Sequence, residues 1–235
     1  MCLPTAITVS RRVRRWRLSS GLTVTAGCGA NSNCSGDRLM IRTLDASQWR
    51  AWHGDGFPDD CWRVDGDELH ALAGSRRIDL ISCEPYRNFT LRFEFALPTG
   101  GNSGVFCRVE ESAELSWHSG PEMQLLDDRG HPDGREPTTR NGALYGLLRP
   151  EVEIQTEPEQ FVDAALTVHD DEVEHWLGGR QVLRYRLDDP ALRERIARSK
   201  FSGYPRFAQA HRGHIVLQHH GEAARFRRLS IDTSD

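Results

Sequence analysis

The 235 residues contain no apolar stretch near the ~18 residues that a membrane-spanning helix needs, so the body has no helical anchor. Paired cysteines are missing too. Of six, Cys2, Cys28 and Cys34 lie in the N-terminal tract and leave Cys61, Cys83 and Cys107. An odd number without paired spacing makes a poor disulfide framework and a poor cysteine zinc site, and small buried core residues are the expected role. There is no phosphate loop of standard spacing and no nucleophile elbow. Gly100-Gly101-Asn102-Ser103-Gly104 is glycine-dense, but a β-hairpin turn accounts for it better than phosphate binding does. Surplus positive charge is also lacking. The net charge is -4, and residues 1–36 hold Arg11, Arg12, Arg14, Arg15 and Arg17 with no acid, leaving -9 on residues 37–235. Nothing in this composition suggests nucleic acid or an anionic membrane as partner, and the expectation is no nucleic acid; the acidic body favours a neutral or metal-bound partner over a polyanion.

The N-terminal extension, residues 1–36, has the order of an export signal. Ser10-Arg11-Arg12 precedes a weakly apolar Leu18–Ala26 and then Gly27-Cys28. Its apolar part is short and broken by Ser19, Ser20 and Gly21, so a disordered extension or a true start at Met40 is the alternative. Export would make the protein periplasmic or lipid-anchored; otherwise it is cytoplasmic.

From about residue 39 the pattern has period two. Phe89, Leu91, Phe93, Phe95 and Leu97 alternate with Thr90, Arg92, Glu94 and Ala96, a half-buried strand. Trp62–Val64, Asp65-Gly66 and Glu68–Leu72 read as a hairpin, as do Ala165–His169, Asp170-Asp171 and Val173–Leu177. Gly178-Gly179 turns into a third strand over Gln181–Leu187. One helix follows, capped by Asp189 with Pro190 in its first turn and Leu192 and Ile196 on one side. Ile215–His219 and Phe226–Ile231 close the chain as strands. The expected fold over residues 37–235 is one all-β domain, a two-sheet antiparallel jelly-roll sandwich with one short helix. Residues 128–142 and 148–160 are polar and aperiodic and read as loops on a sheet rim.

Two segments carry the chemistry. In GPEMQLLDD, alternation puts Met123 and Leu125 on one face and Glu122 and Gln124 on the other. In GNSGVFCRV, Val105, Cys107 and Val109 share a face, opposite Gly104, Phe106 and Arg108. Gln218 and His220 are likewise two apart, with Leu217 and His219 turned away. Asn102, Arg108, Tyr145, Gln218 and His220 offer the amide, guanidinium, phenol and imidazole groups that bind sugar hydroxyls. Asp127, Asp128 and His131 either bind a metal or shape a turn; the turn is the better reading for Asp128, and Asp127 is the candidate ligand. His53, His70, His118, His169 and His175 are scattered and read as surface or edge. Trp49, Trp52, Trp62 and Trp176 read as core or rim.

The order YRNFTLRFEF, GNSGVFCRV, GPEMQLLDD, HPD, GALYGL, EHWLGG, GHIVLQHHG and FRRLSI resembles the 3-keto-disaccharide hydrolase domain family over about residues 45–231. The resemblance implies a concanavalin A-like sandwich that cleaves or hydrates 3-keto-glycosides, as hydrolase or lyase. Such chemistry needs a base, a stabiliser for developing negative charge and hydroxyl-binding groups. The candidates are Glu122 or His220 as base and Arg108, or a divalent metal held near Glu122, as stabiliser. Asn102, Gln124 and Gln218 would bind hydroxyls.

Four positions depart from the family pattern: Glu159-Gln160-Phe161-Val162 replaces Gly-Glu-Trp-Asn, Gly178 replaces Asn, His219 replaces Asp and Arg228 replaces Asn. Gly178 is harmless in a turn. His219 and Arg228 could remove a metal ligand or a site hydrogen bond, which leaves a non-catalytic carbohydrate-binding module of the same fold as the competing function.

Overall fold

The computed structural model describes residues 40–233. The expected signal or disordered extension over residues 1–36 lies outside the described residues. In chain order the strands are β1 (Met40–Thr43), β2 (Trp49–Ala51), β3 (Trp62–Asp65), β4 (Glu68–Ala71), β5 (Leu80–Ser82), β6 (Phe89–Ala96), β7 (Asn102–Val109), β8 (Glu122–Leu126), β9 (Val162–His169), β10 (Glu172–Leu177), β11 (Arg180–Arg186), β12 (His214–Leu217) and β13 (Ala224–Thr233). The helix α1 spans Pro190–Ala197. The larger sheet runs β11-β10-β9-β6-β13-β4-β3, with β1 also on β13, and the smaller runs β2-β5-β12-β7-β8.

The local chemistry explains these elements. Gly66 at φ +62 turns the β3–β4 hairpin, and Asp170 at φ +49 lies in the β9–β10 turn. Asp189 caps α1 by accepting the Ala191 N–H at 2.8 Å, and Leu192 and Ile196 bury its inner side. The alternation of β6 points Leu91, Phe93 and Phe95 inward. With Phe226 of β13 they share one core with Val105, Cys107, Met123, Leu125, Ile215 and Leu217 of the smaller sheet. Burying each large apolar side chain contributes roughly 1.5–3 kcal/mol. Cys61 and Cys107 are core residues as expected, whereas Cys83 is exposed.

The alternation of β7 fails at its end. Phe106 pairs with Val216 and Val109 with His214, so two residues of β7 oppose Ile215 alone. Arg108, at φ +53, is in this bulge. Its backbone lies against Gly213, where a β-carbon has no room. Val109 is thereby returned to the outer face, beside Phe106, Ile81 and Val216. Arg108 is 2% exposed, and its Nη1 lies 3.4 Å from Asp171 Oδ1 at the β9–β10 turn. The expected sharing of a face by Arg108, Phe106 and Gly104 is therefore corrected. His175 is a second correction. It is wholly buried between Val173 and Leu177 on the inner face of β10, and its Nδ1 lies 2.9 Å from the Gly142 carbonyl. Burial pushes its imidazole down to about 4.

Candidate functional site

The site lies on the outer face of the smaller sheet. Alternation along β8 sends Met123 and Leu125 into the core and Glu122 and Gln124 outward, yet these two are only 7% and 1% exposed. The cover comes from residues 127–148. Gly142 N–H donates to the Gln124 carbonyl at 2.8 Å, Gln124 N–H to Ala143 at 3.0 Å and Tyr145 N–H to Glu122 at 3.1 Å, which extends the sheet past β8. The single-turn segments Pro132–Arg135 and Pro137–Thr139 carry the rest of the loop.

Glu122 lies across Gly104 of the neighbouring strand, where a β-carbon would collide with its carboxylate. Burial pushes this carboxyl up to about 8; Lys200 draws it down, and Asp79 and Asp133 push it further up. Asp79 accepts the Ser116 hydroxyl at 2.6 Å and the His219 N–H at 2.9 Å, and burial raises it as well. Tyr145 donates to Asp133 Oδ2 at 3.3 Å. Burial, with Asp133 and Glu122 nearby, pushes the phenol up to about 12, so it remains a donor at neutral pH.

Amides line the same face. Gln124 donates from Nε2 to the Thr139 carbonyl at 3.2 Å, and Gln218 is joined to β7 through its backbone, its N–H on Gly104 at 2.9 Å and its carbonyl on the Ser103 hydroxyl at 2.9 Å. The buried oxygens Asn102 Oδ1, Gln124 Oε1 and Gln218 Oε1 have no partner among the described residues. Three unpaired acceptors on one face suit a ligand rich in hydroxyl donors, because an unmatched buried acceptor costs about 1–3 kcal/mol.

At the Asn102 end, His131, His220 and Glu222 offer donor atoms within 4.8 Å of one another. His220 Nδ1 lies 2.8 Å from Glu222 Oε2, and the two imidazole rings meet edge to face at 6.0 Å. Two imidazoles and a carboxylate suit a first-row divalent cation. His131 Nδ1 accepts the Asp133 N–H at 3.1 Å, and its Nε2 lies 3.5 Å from Asn102 Nδ2.

The family model described as the 3-keto-alpha-glucoside-1,2-lyase-like domain matches residues 41–232. The chain belongs to this family. A 3-keto-disaccharide hydrolase from Bacteroides thetaiotaomicron is 27% identical over 228 residues, covering 83% of this chain and 78% of its own. The fold is shared with a provisionally named glycosyl hydrolase from Parabacteroides distasonis, with a TM-score of 0.74 at 23% identity over 81% of this chain and 90% of that one. A carbohydrate-binding module from Bacillus subtilis has a TM-score of 0.52 at 11% identity, over 79% and 96% of the two chains.

On this 3-keto-glucoside lyase-like domain, the structure brings Glu122, His220, Asn102, Gln124, Tyr145 and Gln218 to one face and leaves two candidates elsewhere. Arg108 is inside the sandwich. Asp127 accepts the Gly100 N–H at 2.8 Å and the Arg129 N–H at 3.3 Å, one on each carboxylate oxygen, and holds the turn after β8. The four departures also lie off the site. The His219 ring stands edge-on to Trp62 at 5.7 Å with Nε2 3.1 Å from the Ser75 hydroxyl. Arg228 donates to Glu94 on the larger sheet, the Arg227 guanidinium covers Phe161, and Gly178 turns at φ +54.

Asp79, Trp117, Asp133, Lys200 and Glu222 escaped the sequence reading. For Asp79 the signal was an acid set between Ile78 and Leu80, and for Glu222 the two-residue step from His220. Asp133 stood within the HPD motif. Lys200 and Trp117 carry no period-two signal, because both sit in single-turn segments.

Proposed function

We propose that this domain cleaves 3-keto-glycosides by elimination, with Glu122 as the general base. A ketone at sugar carbon 3 acidifies the hydrogen on carbon 2; its removal lets the glycosidic oxygen leave carbon 1, and water can then add to the enone-like product. The observation that carries this reading is the Glu122 carboxyl, pushed up to about 8 on a face that also carries three unpaired amide acceptors. A base that titrates near neutral pH takes a proton more readily than an ordinary carboxylate does, and such groups contribute about 10²–10⁴-fold. Asn102, Gln124 and Gln218 accept from the sugar hydroxyls and fix carbon 2 at the carboxylate. A divalent cation held by His131, His220 and Glu222 would supply Lewis-acid polarisation of the ketone.

A binding module explains the amide acceptors but has no need of a carboxyl held out of water. The test follows aglycone release from methyl and 4-nitrophenyl 3-keto-glucosides by the full chain and by Glu122→Gln. Release by wild type that the variant loses by about 10²-fold or more supports the reading. Sugar binding without release by wild type would replace it with the binding module.

A further inference from the structure

Of the 30 lysine and arginine residues in the chain, 29 are arginine, and the one lysine is Lys200. It follows α1 in the segment Lys200–Gly203, and its ammonium lies 4.4 Å from the Tyr145 ring centroid, 5.1 Å from Phe201 and 5.2 Å from Trp117. Aromatic faces hold a cation without using its N–H groups, since the attraction is to the ring quadrupole. Among the described residues the ammonium makes no ion pair and no hydrogen bond, so its three donors are available. Glu122 and Asp133 are the charges that act on it; burial lowers its pKa, and the two carboxylates oppose that.

Its position along the site follows from the register. Glu122 pairs with Phe106 and Leu126 with Asn102, so these pairs mark opposite ends of β8. Trp117 packs against the outer-face cluster of Ile81, Phe106, Val109 and Val216, and Tyr145 N–H donates to the Glu122 carbonyl, which puts Lys200 toward the Glu122 end. His131, beside Asn102, belongs to the other end. Along β8, Lys200 thus lies toward the Glu122 end and the His131, His220 and Glu222 group toward the Asn102 end. In the substrate, carbon 2 is flanked by the carbon 3 ketone and by carbon 1 with its departing oxygen.

We propose that Lys200 binds the departing glycosidic oxygen and protonates it as the bond to carbon 1 breaks. This role rests on the elimination reading above. The carbon 2 proton goes to Glu122, the electrons of that C–H bond form the C1=C2 double bond, and the C1–O pair leaves with the oxygen. The oxygen takes a proton from the Lys200 ammonium and departs as an alcohol, and water restores both side chains. A guanidinium cannot serve here, because it does not release its proton in a protein. That matches a lysine at this one position in an otherwise arginine-only chain.

The test compares a poor and a good leaving group, methyl and 4-nitrophenyl 3-keto-glucoside, for wild type, Lys200→Met, Lys200→Arg and Glu122→Gln. A departing nitrophenolate needs little protonation, so the expected loss for Lys200→Met is about 10²–10⁴-fold in kcat on the methyl glycoside and under about tenfold on the nitrophenyl one. Lys200→Arg is expected not to restore the methyl activity. Equal losses on both substrates, or rescue by arginine, would overturn proton donation by Lys200 while leaving Glu122 in place. A wild type inert toward both, or a Glu122→Gln variant that keeps turnover, would instead sink the elimination reading and this role with it. Unchanged Tm values show that the variants fold.

Discussion

The Glu122 carboxylate occupies the space that a side chain at position 104 would need, so the absence of a β-carbon on Gly104 sets the orientation of the candidate base. Backbone conformation does not demand glycine there, since Gly104 lies in regular β7 opposite Gln124. Gly104→Ala therefore tests position rather than fold. The flexible end of Glu122 can yield, so the expected stability cost is only about 1 kcal/mol. Turnover on a 3-keto-glucoside should fall by about 10²-fold, because a shift of about 1 Å at a reacting group has that effect. A variant with turnover close to wild type would show that the carboxylate position does not matter.

The raised Glu122 carboxyl also makes stability depend on pH in a definite direction. The folded group titrates at about 8 and the ordinary value is 4.5, so the folded state holds a proton that the unfolded chain releases between them. Stability from this group is full below 4.5, declines through the interval and levels off above about 8. Glu122→Gln, which cannot ionise, should match wild type near pH 4.5 and melt roughly 10–20 °C higher near pH 9. A constant difference in Tm across that range would contradict a raised carboxyl.

Cation binding by His131, His220 and Glu222 should be visible without any substrate. At a Mn²⁺ or Zn²⁺ concentration about 100-fold above Kd, binding to the folded state adds about 2.7 kcal/mol, which is roughly 5–10 °C in Tm. EDTA should remove the gain, and His220→Ala and Glu222→Ala should not show it. Asp127→Asn should lower the basal Tm and still respond, since that carboxylate is engaged by Gly100 and Arg129. Loss of the response in Asp127→Asn would return Asp127 to the ligand set.

Arg228 sits at φ +51 in a bulge where β13 shifts register against β6. A long side chain is strained in that region and asparagine is tolerated better. Arg228→Asn gives up a bond to Glu94, but that guanidinium is 63% exposed and Glu94 keeps Arg227 at 2.7 Å. The expected result is a gain of about 0.5–1 kcal/mol, or roughly 2 °C in Tm, with turnover unaffected. A lower Tm would mean that the exposed pair outweighs the backbone strain.

Strand alternation was legible in the sequence because residues two apart share a face of any regular strand. That property alone separated Glu122 and Gln124 from Met123 and Leu125, and Gln218 and His220 from Leu217 and His219. The capped helix and the hairpin turns were legible for the same local reason: Asp189, Gly66 and Gly178 act within a few residues of themselves. The bulge at Arg108 was not, because it depends on how β7 pairs with β12, about a hundred residues away, and on the space left beside Gly213. The burial of His175 depends likewise on a carbonyl in a distant loop. Only the tertiary structure decided that Asp127 holds a turn, that His131 meets His220 and Glu222, and that the single lysine reaches the rings beside Glu122. Sequence periodicity sets which face a side chain takes on its own strand; the charges and donors that surround it come from elements brought together only by folding.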